Sequence, residues 1–338
     1  MRILIDGMGG DNAPDAIVQG AIMATEFTQE ELCIIGTETE LRELIKKHGY
    51  KGDQISIVNA TQKIENDESP VKTIRRKKDS SIVIGLNMLN DREGDVLISA
   101  GSTGALLAGG HLILGCIDCI ERPALATVYP ILGKEPALLL DAGANTECKP
   151  HYLAQFAVMG SLYMEEVIGR SNPVVGLVSN GVEAGKGNQL TKEAYKLIDK
   201  TSVNFMGNLE ARDIPLGIAD VIVADGFTGN IVLKLSEGLA MTLMRDLKYR
   251  FTSSGIAKLG AAILKNKLYE LKQDVDYKEY GGAPILGLKK ALLKMHGSSD
   301  AYAVMRTIMK AIPYVEEDVV SLISSSINKI NYEDDTNE

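Results

Sequence analysis

Two segments of the chain carry the same run of small, hydroxyl and amide residues directly after a short apolar stretch. Residues 220–232 read DVIVADGFTGNIV and residues 95–107 read DVLISAGSTGALL, so Asp, Val, Gly, Thr and Gly recur at an offset of 125 positions. Each pattern predicts a buried strand, a glycine turn and the start of a helix. Such a turn directs backbone N–H groups and the positive end of the helix dipole towards one point. These residues therefore favour binding of an anion, phosphate above all.

Three further turns show the same residue types. Residues 7–15, GMGGDNAPD, follow a predicted strand and place Asp11 or Asn12 where either could cap the next helix. DAGAN ends with Asn145 and begins with Asp141, a carboxylate and an amide. HGSSD at residues 296–300 puts hydroxyl groups at another predicted helix start. Because every strand–turn–helix unit needs a turn, no single one is decisive, but together they favour an anion site.

The elements that must position these turns alternate between strand and helix along most of the chain. Among them, strands are predicted at residues 31–36 and 124–132, a helix at residues 256–271 and a glycine segment at residues 281–287. This alternating order predicts a doubly wound, three-layer α/β/α fold, in which ligands bind at the carboxyl ends of the strands. We expect the two matching turns to face one cleft from two halves of a sheet. Residues 1–330 are predicted to form one catalytic α/β domain, open to division into two lobes that share a cleft, and residues 331–338 an acidic tail.

Composition excludes several classes of function. The chain has 338 residues, a net charge of -9, no Trp and 5% aromatic residues, which argues against a nucleic-acid partner. It begins directly with a predicted strand, without a signal-peptide pattern, and no apolar run reaches the ~18 residues of a membrane span. The four cysteines are scattered, and the single C-x-x-C pair, Cys116 and Cys119, falls in a predicted helix. We therefore expect a cytoplasmic protein with no metal and no cofactor.

A basic amphipathic segment follows the second matching turn. Residues 239–275 are predicted to form a protruding helical hairpin, and residues 245–295 hold 11 Lys or Arg against 5 Asp or Glu. This pattern favours contact with a membrane surface or an acidic partner, or else a dimer interface. The candidate contact residues are Ile256, Lys258, Leu259, Ile263, Lys265 and Lys267.

Eight motifs, spread in order over nearly the whole chain, together resemble one family. They are DGMGGDNAP, SAGSTGA, ERPALA, LLDAGAN, KGN, DVIVADGFTGNIVLK, GGAPILGL and HGSSDAYA. The chain is similar to the bacterial phosphate acyltransferases of phospholipid synthesis. The resemblance implies a fold like that of isocitrate and isopropylmalate dehydrogenases, and transfer of a long acyl chain from acyl carrier protein to inorganic phosphate. It also implies a homodimer at the inner face of the cell membrane, beside a downstream glycerol-3-phosphate acyltransferase.

With that reaction, the turns take specific roles as hypotheses. Phosphate is assigned to Gly9, Gly10, Asp11, Asn12, Ser102, Thr103, Gly104, Thr228 and Gly229. Lys186 is expected to supply the counter-charge, and His296 to act as general acid or oxyanion donor, a helix-capping or core histidine being the alternative. Asp225 and Asn230 complete the catalytic set, while Asp141, Asn145 and Ser298 support the loops.

Two departures from the family pattern lie near these residues. Ser102 stands where the family usually has Asn, and residues 177–188 read LVSNGVEAGKGN where the family resembles LLNIGEEExKGN. Three alternatives stay open: a phosphate acyltransferase that uses coenzyme A thioesters, a dehydrogenase on the related fold, and a non-catalytic lipid-surface or carrier-binding protein.

Overall fold

The computed structural model describes residues 1–274 and 281–327, except for the side chains of residues 272–274. The strands of this part of the chain are β1 (Arg2–Asp6), β2 (Glu31–Gly36), β3 (Ile55–Asn59), β4 (Val96–Ser99), β5 (Ala124–Leu125), β6 (Thr127–Tyr129), β7 (Ala137–Leu140), β8 (Val174–Ser179), β9 (Asn204–Glu210), β10 (Val221–Val223), β11 (Ala283–Leu286) and β12 (Ala291–Lys294). The acidic tail predicted at residues 331–338 lies outside the described residues.

The helices surround these strands. They are α1 (Asp15–Ala24), α2 (Glu38–Lys47), α3 (Pro70–Arg76), α4 (Ser81–Asn90), α5 (Thr103–Gly109), α6 (Pro150–Glu166), α7 (Gln189–Asp199), α8 (Gly226–Thr252), α9 (Gly255–Ile263), α10 (Lys265–Asp274), α11 (Ala301–Glu316) and α12 (Val319–Ile327). A π-helical turn (Gly110–Leu114) extends α5, and a 3-10 turn (Ile214–Leu216) precedes β10. None of the helices described is both long and apolar enough to cross a membrane.

The strands divide into two sheets. The seven-stranded sheet has the order β3-β2-β1-β4-β12-β11-β5, and the five-stranded sheet has the order β6-β7-β10-β8-β9. Neighbours are parallel except for the pairs that involve β11 or β6. The α/β fold with helices around mainly parallel strands is confirmed. The prediction that the two matching turns lie in two halves of one sheet is wrong, because β4 and β10 belong to different sheets.

The buried residues form two hydrophobic cores, on opposite faces of the strands. Ile3 and Ile5 of β1 belong to one core and Leu4 to the other, and β7 alternates in the same way. Each core includes residues of both sheets. Strands that are buried on both faces need continuous apolar runs, which is why these segments lack a polar–apolar alternation. The cores hold the two sheets side by side and bring their carboxyl ends to a common region.

Three local predictions differ from the structure. Residues 124–132 were expected to form one strand, but β5 joins the seven-stranded sheet and β6 the five-stranded sheet, so this segment links the two. Residues 256–271 form two helices, α9 and α10, in place of one. Cys116 follows the π-helical turn in an isolated bridge, and Cys119 lies in a turn with φ of 69°, so the helix predicted around the C-x-x-C pair is wrong.

Candidate functional site

Turns at the carboxyl ends of β1, β4 and β12 pack against one another at one edge of the seven-stranded sheet. The hydroxyl of Ser99, the last residue of β4, donates to the buried carboxylate of Asp6 at 2.6 Å. The backbone N–H of Asp11 donates to the carbonyl of Gly297 at 2.8 Å. The first and last turns of this sheet are therefore joined directly, although they lie almost 290 residues apart in sequence.

The first turn is packed closely around its glycines. A Cβ atom on Gly9 would lie 2.5 Å from the backbone nitrogen of Gly101, and Gly10 has φ of 103°, which favours glycine. The side-chain amide of Asn12 donates to the carbonyls of Ser298 and Ser299 at 3.2 and 3.1 Å. The polar groups of this turn therefore bind the β12 turn. Neither Asp11 nor Asn12 caps α1, whose N-cap is Pro14 without a side-chain bond, so that prediction is wrong.

The turn after β4 places one of its three predicted residues on the central cavity described below. Thr103 lines that cavity. Ser102 is 6% exposed and caps α5 through a weak 3.4 Å bond from the backbone N–H of Ala105. Gly104 faces the ring of Pro70, 2.7 Å from where its Cβ would lie.

In the five-stranded sheet, the turn after β7 is built around the buried carboxylate of Asp141. This carboxylate accepts from the backbone N–H groups of Leu125, Gly143, Ala144 and Asn145, and from the Asn145 amide, at 2.7 to 3.2 Å. Burial raises the pKa of Asp141, and its hydrogen bonds oppose that shift. Asp141 and Asn145 thus hold the turn together.

In the turn after β10, the hydrogen-bond donors at the start of α8 are bound by residues of the turn itself. Asp225 is the N-cap of α8, and its carboxylate accepts from the backbone N–H and the hydroxyl of Thr228 at 3.0 and 2.7 Å. The backbone N–H of Gly229 donates to the Asp225 carbonyl at 2.8 Å. The donors of Thr228 and Gly229 that were assigned to phosphate are therefore already engaged. Asn230, in contrast, lines the cavity beside Gly143.

His296 lines the cavity and is oriented by Ser298. Its Nδ1 accepts a hydrogen bond from the Ser298 backbone N–H at 3.2 Å and lies 2.8 Å from the Ser298 hydroxyl. An accepting Nδ1 places the ring proton on Nε2 in the neutral form. Partial burial lowers the pKa of His296, and the charge of Lys234 acts in the same direction. The helix-capping role predicted for the hydroxyl residues is wrong, because Asp300 caps α11 through the Ala303 N–H at 3.0 Å.

Lys294, the last residue of β12, is the main site residue that the sequence did not reveal. It is 8% exposed and pairs in register with Ser99 of β4. Its Nζ donates to the carbonyl oxygens of Ala100, at 3.4 Å, and Met295. Burial lowers the pKa of Lys294 to about 8, while Asp6 and Asp11 oppose the shift. The antiparallel pair β11–β12 that delivers this lysine was predicted only as a glycine segment.

A cavity of about 1000 Å³, here called the cleft, opens between the two sheets. Its polar end is lined by Thr103, Asn230, Lys294 and His296. From there it follows one face of α8 as far as Arg250, with Leu233, Ala240, Met244 and Leu247 along its wall. At about 1.5 Å per helical residue, this path is roughly 30 Å long. The cleft therefore combines a compact charged end with a long apolar groove.

Lys186 is not among the described residues that line the cleft. It lies exposed in the loop of residues 180–188 after β8, where its backbone N–H donates to the Glu183 carbonyl at 2.9 Å. Its side chain packs against Gly181 of the same loop. Its predicted role as counter-charge stays a prediction that this geometry does not favour.

An apolar surface is exposed by α9, by α10 and by the last residues of α8. Ile256, Leu259 and Ile263 are 87%, 65% and 78% exposed, and no residue of α9 is buried. Lys258, Lys265 and Lys267 lie beside them, and Lys267 pairs with Glu270 at 2.7 Å. Within residues 1–274 and 281–327, no group of three or more His, Cys, Asp or Glu side chains is arranged to hold a metal ion.

Comparison with protein-family models decides the family. The model described as "Fatty acid synthesis protein" matches residues 1–322. The chain belongs to this family. The phosphate acyltransferase of Alkaliphilus oremlandii is 46% identical over 330 residues, which cover 98% of both chains. That of Bacillus pumilus is 46% identical over 330 residues, or 97% of this chain and 98% of the relative. The predicted family and the enzyme class, an acyltransferase, are confirmed.

Solved structures agree on the fold. A phosphotransacetylase from Streptococcus pyogenes superposes with a TM-score of 0.65 and 17% identity over 94% of both chains. A 4-hydroxythreonine-4-phosphate dehydrogenase from Klebsiella pneumoniae gives a TM-score of 0.51 and 11% identity, over 93% of this chain and 97% of that one. At these identities the likeness establishes a shared α/β architecture alone.

Proposed function

We propose that this member of the fatty acid synthesis protein family transfers a long-chain acyl group from acyl carrier protein to inorganic phosphate, giving acyl phosphate for phospholipid synthesis. The observation that carries the proposal is the two-part cleft. Its charged end suits a small oxyanion, and its apolar groove along α8 suits a hydrocarbon chain. The names of the relatives support the transfer to phosphate.

The reaction requires a thioester carbonyl to lie between the two parts of the cleft. A phosphate oxygen attacks the carbonyl carbon, a C–O bond forms, and the carbonyl oxygen takes up negative charge. The intermediate then collapses, the C–S bond breaks, and the carrier thiolate leaves and takes a proton. Because phosphate is itself the nucleophile, no acyl-enzyme bond is needed.

His296 is the candidate oxyanion donor. Its accepting Nδ1 leaves the proton on Nε2, and its lowered pKa keeps the ring neutral near pH 7. Removal of one such donor costs roughly 3 kcal/mol of transition-state stabilisation. His296→Ala should therefore lower kcat by about 100-fold, whereas a core or capping histidine would change stability and leave kcat in place.

The decisive experiment incubates the purified protein with palmitoyl-carrier protein and phosphate, and traps acyl phosphate with hydroxylamine. Palmitoyl-coenzyme A serves as the parallel donor, and a reaction without phosphate is the control. Phosphate-dependent product from the carrier donor supports the proposal. Product only from coenzyme A would move the assignment to that donor, and product from neither would favour a non-catalytic binding protein.

We also propose that α9 holds the protein at the inner face of the cell membrane or against the acidic carrier protein. Three large apolar side chains are exposed on this helix. Lys258 on α9 and Lys265 at the start of α10 add positive charge that an anionic surface attracts, while Lys267 is paired with Glu270. The variant with Ile256→Asp, Leu259→Asp and Ile263→Asp should lose sedimentation with anionic vesicles. Phe27→Asp, at a 62% exposed site outside α9, is the control. Unchanged sedimentation of the triple variant would contradict direct membrane contact.

A homodimer is the remaining assembly proposal. Phe227, Ile231 and Leu235 lie four residues apart on α8 and are 60%, 48% and 68% exposed, which forms an apolar stripe on the helix. Ile231→Asp should convert the dimer to monomer in sedimentation velocity, and a wild-type monomer would refute the proposal. Acyl phosphate would then pass to a downstream acyltransferase, for which glycerol 3-phosphate is the proposed acceptor.

A further inference from the structure

Lys294 is a buried cation that its surroundings do not neutralise. An ammonium group carries three donors, and within the described residues this one donates to two backbone carbonyls, of which the Ala100 contact is long at 3.4 Å. No carboxylate of the described residues lies within salt-bridge distance of its Nζ. A buried charge without a counter-ion is costly, so an anion that reached it would be bound favourably.

The carboxylate that acts most strongly on the pKa of Lys294, that of Asp6, has other partners. Asp6 accepts from the Ser99 hydroxyl at 2.6 Å and from the Met8 backbone N–H at 3.1 Å. Asp11 contributes electrostatically to Lys294 from the adjacent turn but makes no ion pair with it within the described chain. The fold thus keeps a positive charge beside these carboxylates and open to the cleft.

We infer that Lys294 is the anion-binding residue of the cleft and holds one oxygen of a tetrahedral oxyanion, inorganic phosphate in the proposed reaction. Thr103 and Asn230 line the same end and supply neutral polar groups. Lys186 does not line the cleft and is not needed for this contact. The inference rests on the proposed function for the identity of the anion, whereas the cationic site itself rests on the geometry of β12.

The test measures phosphate binding directly, without acyl donor. Calorimetric titration with inorganic phosphate would compare wild type with Lys294→Met and Lys294→Gln. Lys289→Met is the matched control, since Lys289 lies just before β12 and pairs with Asp118 at 2.9 Å on the surface. Loss of a charged hydrogen bond predicts affinity roughly 10- to 100-fold weaker for the Lys294 variants and unchanged affinity for the control. Wild-type affinity in both Lys294 variants would overturn the inference, as would an equal loss in Lys186→Met.

Thermal unfolding supplies a readout that a merely structural lysine would not give. In phosphate-free buffer, Lys294→Met should melt at or above the wild-type temperature, because the uncompensated charge is gone. Added phosphate should raise the melting temperature of wild type and leave that of the variant unchanged. A lower melting temperature with an intact phosphate response would assign Lys294 to packing alone.

Failure of this inference is distinguishable from failure of the proposed function. If phosphate binding depends on Lys294 but no acyl phosphate forms from either donor, the anion-binding role of Lys294 is supported and the proposed acyl transfer is contradicted. If wild type forms acyl phosphate while Lys294→Met retains the wild-type KM for phosphate, the proposed acyl transfer is supported and the anion-binding role of Lys294 is contradicted.

Discussion

The two turns with matching sequences differ in the charge at their helix starts. After β10, Asp225 caps α8 and takes up the N–H and hydroxyl of Thr228. After β4, the equivalent position is Ala100, which has no carboxylate, and its carbonyl accepts from Lys294. One turn is thus neutralised by its own side chain, and the other lies beside an unpaired cation. A shared glycine pattern therefore fixes the strand–turn–helix shape, whereas the residue at the Ala100 and Asp225 positions sets the charge of the turn.

The packing of the matching glycines differs as well, and substitutions here should change the free energy of unfolding more than any others considered. A Cβ on Gly229 would lie 1.9 Å from the Asp141 carbonyl oxygen, whereas a Cβ on Gly104 would meet the ring of Pro70 at 2.7 Å. Gly229→Ala must displace backbone and should lower the free energy of unfolding by roughly 3 kcal/mol. Gly104→Ala meets one side chain and gains helix propensity of up to about 1 kcal/mol, so its net change should stay within about 1 kcal/mol.

Denaturant unfolding of both variants checks this pair. Equal losses would show that the two turns are packed alike, against the geometry. A Gly229→Ala variant of wild-type stability would mean that the turn after β10 can move away from Asp141 without cost.

The second prediction concerns pH, and it separates the cationic turn from the capped one. The pKa of Lys294 is lowered to about 8 from an ordinary value of 10.5, so the unfolded chain binds more protons between these values. The contribution of Lys294 to the stability of the phosphate-free protein should therefore rise with pH through that window. Lys310, whose pKa burial also lowers to about 8, contributes in the same direction. The thiols of Cys33, Cys116 and Cys148, whose pKa values burial raises, act in the opposite direction. The difference in the pH dependence of stability between wild type and Lys294→Met therefore measures the contribution of Lys294.

Phosphate affinity should change in the opposite sense. Above pH 8 the Lys294 ammonium loses its proton, so the advantage of wild type over Lys294→Met in phosphate affinity should shrink. The ionisation of phosphate itself is common to both proteins and cancels in this ratio. Asp6, Asp11, Lys234, Glu237 and His296 are other titratable groups around this end of the cleft, and all of them remain in the variant. Calorimetric titrations between pH 7 and pH 9 test this, and a parallel fall in both proteins would exclude Lys294 as the cause.

The third prediction tests the capped turn. Asp225→Ala removes two hydrogen bonds at the start of α8 and should lower the free energy of unfolding by about 1–2 kcal/mol. Asp225→Asn keeps an acceptor for the Thr228 N–H and should recover most of that loss. If Asp225 is only a cap, kcat of Asp225→Asn stays near wild type. A large fall in kcat at wild-type stability would instead support its predicted catalytic role.

The sequence could predict the elements that depend on a local run of apolar residues. Glu31–Gly36 was predicted as a strand and is one, because Leu32, Cys33, Ile34 and Ile35 are fully buried on both faces of the sheet. Lys294 could not be predicted in this way. Its burial depends on the pairing of β12 with β4, almost 200 residues earlier, and on a short β11–β12 pair that starts within a glycine-rich segment. A lysine before HGSSD carries no pattern of its own.

The division of the strands into two sheets could not be predicted from the sequence either, because it also depends on pairing between distant segments. Residues 124–129 are mainly apolar, and nothing in their order marks Ala126, where the chain leaves one sheet for the other. The engaged donors of Thr228 and Gly229 were also missed, since their spacing equals that of the other turn. Side-chain caps and long-range strand pairing determine the sheet boundary and the engaged donors, and the periodicity of a sequence gives no information on either.

The smallest expected effect lies at Ser102, the cap of the other turn. Its hydroxyl oxygen is 3.4 Å from the Ala105 N–H, longer than an ordinary hydrogen bond, and α5 has only seven residues. Ser102→Ala should therefore lower the free energy of unfolding by no more than about 0.5 kcal/mol, the low end for an N-cap. Denaturant unfolding beside Asp225→Ala measures the difference between the two caps. Equal losses would show that Ser102 caps α5 as firmly as Asp225 caps α8, and that the turn after β4 is no more open to an anion than its counterpart.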